Sequence, residues 1–271
     1  MLNDDDLPMD EVGSWTKEKH ERLRKYVDIS RAVRRKFLER SGSATYIDLF
    51  CGYGRAFVRD ANEIIDGSPL VAFKSARDGC APFSGIHIAD LEEGKVNVAA
   101  KRIADAGGTA ATYVGRAEDV VKQIVTQLNP YGLHFVFLDP YNLDALSFSI
   151  IEVLSRLRHI DILIHVSAQD LQRNLDAYTR PDDNRLERFA PGWRQHVSLD
   201  QSQQRIRAAL LFYWVSKFGA LGLSTAERAE LVSGQERNQR LYWLVLVSRE
   251  KLARDFWEKI RSLSGQRDLP L

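Results

Sequence analysis

Five stretches of the chain, 45–50, 85–89, 133–138, 160–166 and 241–247, are nearly continuous in apolar and β-favouring residues. Runs of this length without alternation predict strands buried on both faces, the pattern of a parallel sheet. A shorter strand is expected at 113–115, ahead of Arg116. Between the strands, 91–106 has helical spacing, with Glu92 and Glu93 in its first turn, and strands alternating with helices predict a doubly wound α/β sheet. Leu23, Tyr26, Val27, Val33 and Phe37 also recur at helical spacing, so 16–40 reads as one amphipathic helix, stopped by Ser41-Gly42-Ser43. Residues 68–84 lack a clear period, and 170–204 are rich in Arg, Asn and Pro around Trp193; both are expected to be insertions near the sheet edge. One domain is expected over 15–271.

Composition narrows the setting. With 271 residues, 44% apolar and 10% aromatic, the chain has enough apolar surface to fold as a large domain. Two cysteines, Cys51 and Cys80, make neither a disulfide framework nor a zinc site, so no metal is expected and the thiols are expected to be reduced in a cytoplasmic protein. The longest apolar run, 208–215, is too short for a membrane span. Total charge is balanced, with 38 Lys and Arg against 37 Asp and Glu, but the balance hides sorting. Residues 1–11 carry five acids and no base, and 1–14 are expected to form a mobile acidic tail. Residues 15–40 carry ten bases against four acids, so the face from Lys17 to Arg40 is a candidate grip for nucleic-acid phosphates. Removing residues 1–11 is then expected to strengthen nucleic-acid binding at low salt.

Four places carry candidate chemistry. Strand 45–50 runs into Cys51-Gly52-Tyr53-Gly54, which predicts a strand, a glycine turn and then a helix, and glycines at a strand's carboxyl end let a ligand approach the backbone. Phe57 stands where a dinucleotide fold needs a third glycine, which argues against nicotinamide. Asp90 ends the next strand, where a carboxylate either accepts both hydroxyls of a ribose or caps the following helix. Ala117 and Glu118 follow the 113–115 strand, in a loop placed to reach an adenine edge or to begin a helix. The fourth is Asp139-Pro140-Tyr141-Asn142, directly after strand 133–138. Proline keeps Asp139 extended, leaving its carbonyl and carboxylate to accept hydrogen bonds from an amino group, while Tyr141 offers a stacking face.

This order of a glycine turn, an acid, an acidic loop and Asp-Pro-Tyr follows that of S-adenosylmethionine (AdoMet) methyltransferases. Trp15-Thr16-Lys17 leading to Leu23 and Tyr26, then 46–54, then 137–141, resemble the three-Cys-motif partner family, a Rossmann-like class I methyltransferase group. The resemblance implies that Gly52 and Gly54 admit the methionine part of AdoMet, with Asp48 and Phe50 beside them. It further implies that Asp90 binds ribose, that Ala117 and Glu118 lie by the adenine, and that the catalytic Asp139, Pro140 and Tyr141 face the methyl acceptor. The implied activity is methyl transfer to an amino nitrogen, in nucleic acid. The alternative is a catalytically idle methyltransferase-fold protein that binds a neighbouring three-Cys-motif protein. Arg116, Asn142 and the single proline of Asp-Pro-Tyr, against Asp-Pro-Pro-Tyr in amino methyltransferases, depart from the pattern. Asp48 to Gly52 also resemble the opening motif of cytosine-C5 methyltransferases, whose Pro-Cys nucleophile the chain lacks.

Overall fold

The computed structural model describes residues 5–226, 228–233, 240–262 and 268–270. It divides into two compact units, 1–137 and 138–271. In the first, β2 (Ala44–Asp48) pairs in parallel with β5 (Gly85–Asp90) on one side and with β7 (Leu133–Leu138) on the other, and β5 pairs with β6 (Ala111–Val114). The chain therefore leaves β2 in one direction, through α3 (Ser68–Asp78), β5, α4 (Glu93–Asp105) and β6, and returns through α5 (Ala117–Gln127) to β7 on the other side of β2. That reversal is the topological switch of a doubly wound Rossmann-like sheet, and sheets of this kind bind ligands outside the carboxyl ends of the strands at such a point. The expected strands are present because their apolar runs are buried: all of β2 and all of β7 are shielded from solvent.

Three expectations change. Gly54 leads not into a helix but into a hairpin of β3 (Arg55–Val58) and β4 (Glu63–Asp66), turned at Asn62 with φ +50°. The helix arrives at Ser68, with Pro69 in its first turn, so the 68–84 "insertion" is in fact the crossover between β2 and β5. The basic helix is two helices, α1 (Trp15–Ile29) and α2 (Arg31–Ser41), broken at Ser30, whose hydroxyl donates to Tyr26 O and Val27 O. Of its ten bases, Lys19, Arg22 and Arg34 are buried, while Lys17, Arg24, Lys25 and Arg31 sit in ion pairs with Glu63, Glu21 and Asp28. Arg35, Lys36 and Arg40 remain exposed on α2, without an ion pair among the described residues.

The acidic tail is also built in from residue 5 onward. Asp10–Val12 forms β1, parallel to β3, and Asp5 accepts two hydrogen bonds from the buried Arg102, at 2.8 and 3.0 Å. A run of acids looks free only while the cation that neutralises it, 97 residues away, is out of view. Deleting residues 1–11 would strip Arg102 of that partner, so it cannot serve as a simple test of surface charge. The guanidinium holds the Asp5 carboxyl down to about 2. A depressed folded value gives stability that is complete above the ordinary aspartate range and lost as pH falls through about 2. Urea unfolding of wild type and Asp5→Asn between pH 2 and ~6 should therefore show a gap that closes toward the acid end.

In the second unit, β8 (His159–Ser167) pairs antiparallel with β11 (Arg240–Ser248), which also pairs with β9 (Ser224–Thr225) and β10 (Arg228–Ser233); β12 (Asp268–Pro270) lies on β10. Helix α6 (Phe148–Leu154) precedes β8. Residues 170–204 hold most of α7 (Ala168–Tyr178) and the short α8 (Arg185–Phe189), joined by turns, and Trp193 is fully buried. α9 (Gln203–Ser216) and α10 (Lys251–Ser262) complete the unit. No helix among the described residues is long and apolar enough to cross a membrane.

Candidate functional site

In the first unit, the carboxyl ends of β2, β5 and β6 bring together most of the expected cofactor residues. Asp48 is wholly buried; its carboxylate accepts from Tyr46 OH at 3.0 Å and from the Phe50 N–H at 3.1 Å, so it shapes the turn from beneath. Gly52 and Gly54 take φ of +53° and +76°, a region that favours glycine. At Gly54 a Cβ would meet the Ala99 Cα at 3.1 Å, so this glycine also lets the turn pack on α4.

Asp90 organises the turn. Its Oδ2 accepts the Gly52 N–H at 3.1 Å and its Oδ1 the Glu92 N–H at 3.2 Å, while its carbonyl accepts from Gly115 at 3.0 Å. Helix capping and ligand binding were the two alternatives for this acid. It does hold the start of α4, yet a carboxylate with about four lone-pair sites retains two for a ligand after accepting two N–H groups. On either side lie residues that sequence reasoning missed: Leu91 is 68% exposed and Val114 is 51% exposed. Val114 is the register partner of Asp90 on the neighbouring strand, so two apolar side chains flank one carboxylate at the sheet edge. Ala117 is buried at the start of α5, and Glu118 is paired with Arg116 at 2.9 Å. Cys51 is buried, and desolvation together with Asp48 and Asp90 pushes its thiol far up, which leaves it a poor nucleophile.

The second unit holds the Asp-Pro-Tyr loop. Pro140 is buried and Tyr141 is 73% exposed. The loop is pinned just beyond Tyr141: the buried Leu143 donates its N–H to Asp170 Oδ2 at 3.0 Å, and Asn142 accepts from the Ala145 N–H at 3.0 Å. Asp170 is itself held by Tyr178 OH and Asn174 at 2.8 Å each. Asp139 Oδ1 lies 3.3 Å from His165 Nδ1, and the His165 ring packs 4.6 Å from that of Tyr242. His165 was missed as well; its only sequence signal is a polar residue inside the apolar β8 run.

No family model and no curated protein matches the sequence. Solved structures do. Protein LPL1258 of Legionella pneumophila aligns over 90% of this chain and 91% of its own, with a TM-score of 0.53 at 9% identity. An O-methyltransferase of Bacillus cereus, solved in complex with SAH, aligns over 90% and 85%, with a TM-score of 0.51 at 14% identity. The chain has a Rossmann-like methyltransferase fold. At these identities the likeness is one of fold, and the chemistry rests on this chain's own residues.

Proposed function

We propose that the protein is an AdoMet-dependent methyltransferase acting on an amino nitrogen in nucleic acid. The observation that carries the cofactor is the Asp90 carboxylate, with ligand-ready lone pairs, between the exposed Leu91 and Val114 and against the glycine turn. A nucleoside needs such a set: an acceptor for the ribose diol and apolar surface for the base, with a turn lacking side chains beside them. The B. cereus enzyme's complex with SAH supports the same reading. Bound there, AdoMet supplies a methyl group on a sulfonium sulfur. Asp139 is suited to the acceptor. Its carbonyl and carboxylate draw on the N–H bonds of an amino group and raise the electron density at nitrogen. The carboxylate, beside His165, then receives the proton that the methylated nitrogen sheds. Tyr141, exposed on a pinned loop, offers a face for a ring bearing that amino group. The resemblance to three-Cys-motif partner proteins supports the same chemistry.

The phosphate grip of this proposal is Arg35, Lys36 and Arg40. Changing all three to Gln should lower nucleic-acid affinity and reduce the slope of log affinity against log salt by roughly 2 to 3, since each lost phosphate contact removes about 0.7 to 0.9. An unchanged slope would rule out α2 as the contact. The acceptor itself is tested by incubating the protein with radiolabelled AdoMet and separated DNA, RNA and protein fractions. Label confined to protein would refute the nucleic-acid assignment, and calorimetry showing no AdoMet binding would refute the cofactor.

A further inference from the structure

Arg102, buried on α4, joins three stretches of chain with one guanidinium. Besides Asp5, it donates to Leu7 O at 3.2 Å, to Pro8 O at 3.0 Å and to Tyr53 O at 2.8 Å. The segment entering β1 is thus fastened to the glycine turn, and β1 carries it past β3 with Asp10 opposite Ala56. The result puts the Asp10 carboxylate directly on Gly52: a Cβ there would stand 2.7 Å from Asp10 Oδ2. Burial raises the Asp10 carboxyl, Lys95 and the Tyr53 N–H oppose that rise, and Asp90 and Glu92 add to it.

These charged groups have different engagements. Asp90 is tied to two backbone N–H groups, and Glu92 is bridged to Lys95 at 2.8 Å. Asp10 is paired with the same lysine at the longer distance of 3.7 Å and accepts one backbone hydrogen bond, from Tyr53, so its carboxylate, with about four lone-pair sites, keeps acceptor capacity at the turn. Three carboxylates against one lysine leave the turn negative where a ligand's cationic end would rest. We propose that residues 5–12 are a fixed wall of the cofactor site and that Asp10 receives the α-ammonium of the methionine part of AdoMet. The proposal rests on the cofactor reading given above. It also gives the segment a purpose: Arg102 spends most of its donors on holding the stretch that delivers Asp10.

The test is calorimetry on the full chain with three probes: AdoMet, S-adenosylhomocysteine and 5′-methylthioadenosine. The first two carry the ammonium; the third keeps the nucleoside and lacks the amino acid. Asp10→Asn should weaken AdoMet and S-adenosylhomocysteine alike by ~10- to 100-fold, the range for one charge-assisted contact, and change 5′-methylthioadenosine by less than about twofold. Asp10→Glu should recover part of the loss. Equal loss across all three probes would overturn the proposal by showing general damage to the site. Loss for AdoMet alone would overturn it by pointing to the sulfonium. Tighter AdoMet binding by Asp10→Asn would overturn it by showing that the carboxylate obstructs the site. If wild type binds 5′-methylthioadenosine and AdoMet and the variant matches it, this proposal alone fails; if wild type binds none of the three, the cofactor reading fails first.

Discussion

Asp90→Ala should lower AdoMet affinity by ~100-fold or more and also weaken the fold. Two hydrogen bonds from ribose hydroxyls to a charged acceptor are worth about 1.5 to 3 kcal/mol each, and each 1.4 kcal/mol is about tenfold in affinity. The same truncation removes the acceptor of the Gly52 and Glu92 N–H groups. Leaving such donors unsatisfied near the protein interior costs about 1 to 3 kcal/mol. Asp90→Asn keeps one oxygen for one of the two N–H groups, turns its amide NH2 toward the other and loses the charge, so it should recover only part of the stability lost in Asp90→Ala and still bind AdoMet at least ~10-fold more weakly. Calorimetry paired with urea unfolding checks both; an Asp90→Ala protein that binds AdoMet like wild type would remove Asp90 from the ligand's surroundings.

The Asp90 position was legible because it depends only on local order: an apolar run, an acid and then a helix start. The strands flanking it were legible for the same reason, since burial on both faces leaves an unbroken apolar signature. What escaped notice depends on partners far along the chain. Asp10 acquires its place from Arg102 and from pairing with β3, and an acidic N-terminus contains no trace of either. The β3–β4 hairpin is made of two four-residue strands, too short for a period to emerge. Leu91 and Val114 are single apolar residues at strand ends, which look like the ordinary exposed apolar residues of any surface until the sheet sets them on either side of Asp90. Ser30 breaks α1 from α2 without Pro or Gly, through a hydroxyl bond to the preceding turn, so apolar periodicity runs on across the break.

That break explains the second large effect, expected at Arg34. This side chain is 1% exposed and meets no carboxylate at hydrogen-bond distance among the described residues. Its Nε donates to Ala81 O at 2.6 Å, its Nη1 to Val27 O at 2.9 Å and Ser30 Oγ at 3.2 Å, and its face lies 4.8 Å from the Phe83 ring centroid. Val27 is in the last turn of α1, where carbonyls lack helical partners and the dipole favours a cation. Arg34 therefore caps one helix from the next and ties both to the segment leading into β5. Arg34→Ala leaves the buried Ala81 carbonyl without its donor, leaves Val27 O only the Ser30 hydroxyl and opens a cavity, and should cost about 3 to 5 kcal/mol, a large share of the ~5 to 15 kcal/mol that holds an ordinary domain together. Arg34→Met fills the space without donors and sheds a charge that burial disfavours, so it should cost less than Ala. Desolvation lowers the Arg34 value to about 10. A cation with a depressed folded value destabilises the fold while protonated, and that penalty relaxes as pH rises through about 10. Urea unfolding between pH 8 and ~11 should then show wild type gaining on Arg34→Met toward the alkaline end. A loss below ~1 kcal/mol in Arg34→Ala would mean that water or a neighbour satisfies the Ala81 carbonyl, and that the α1–α2 junction does not depend on this side chain.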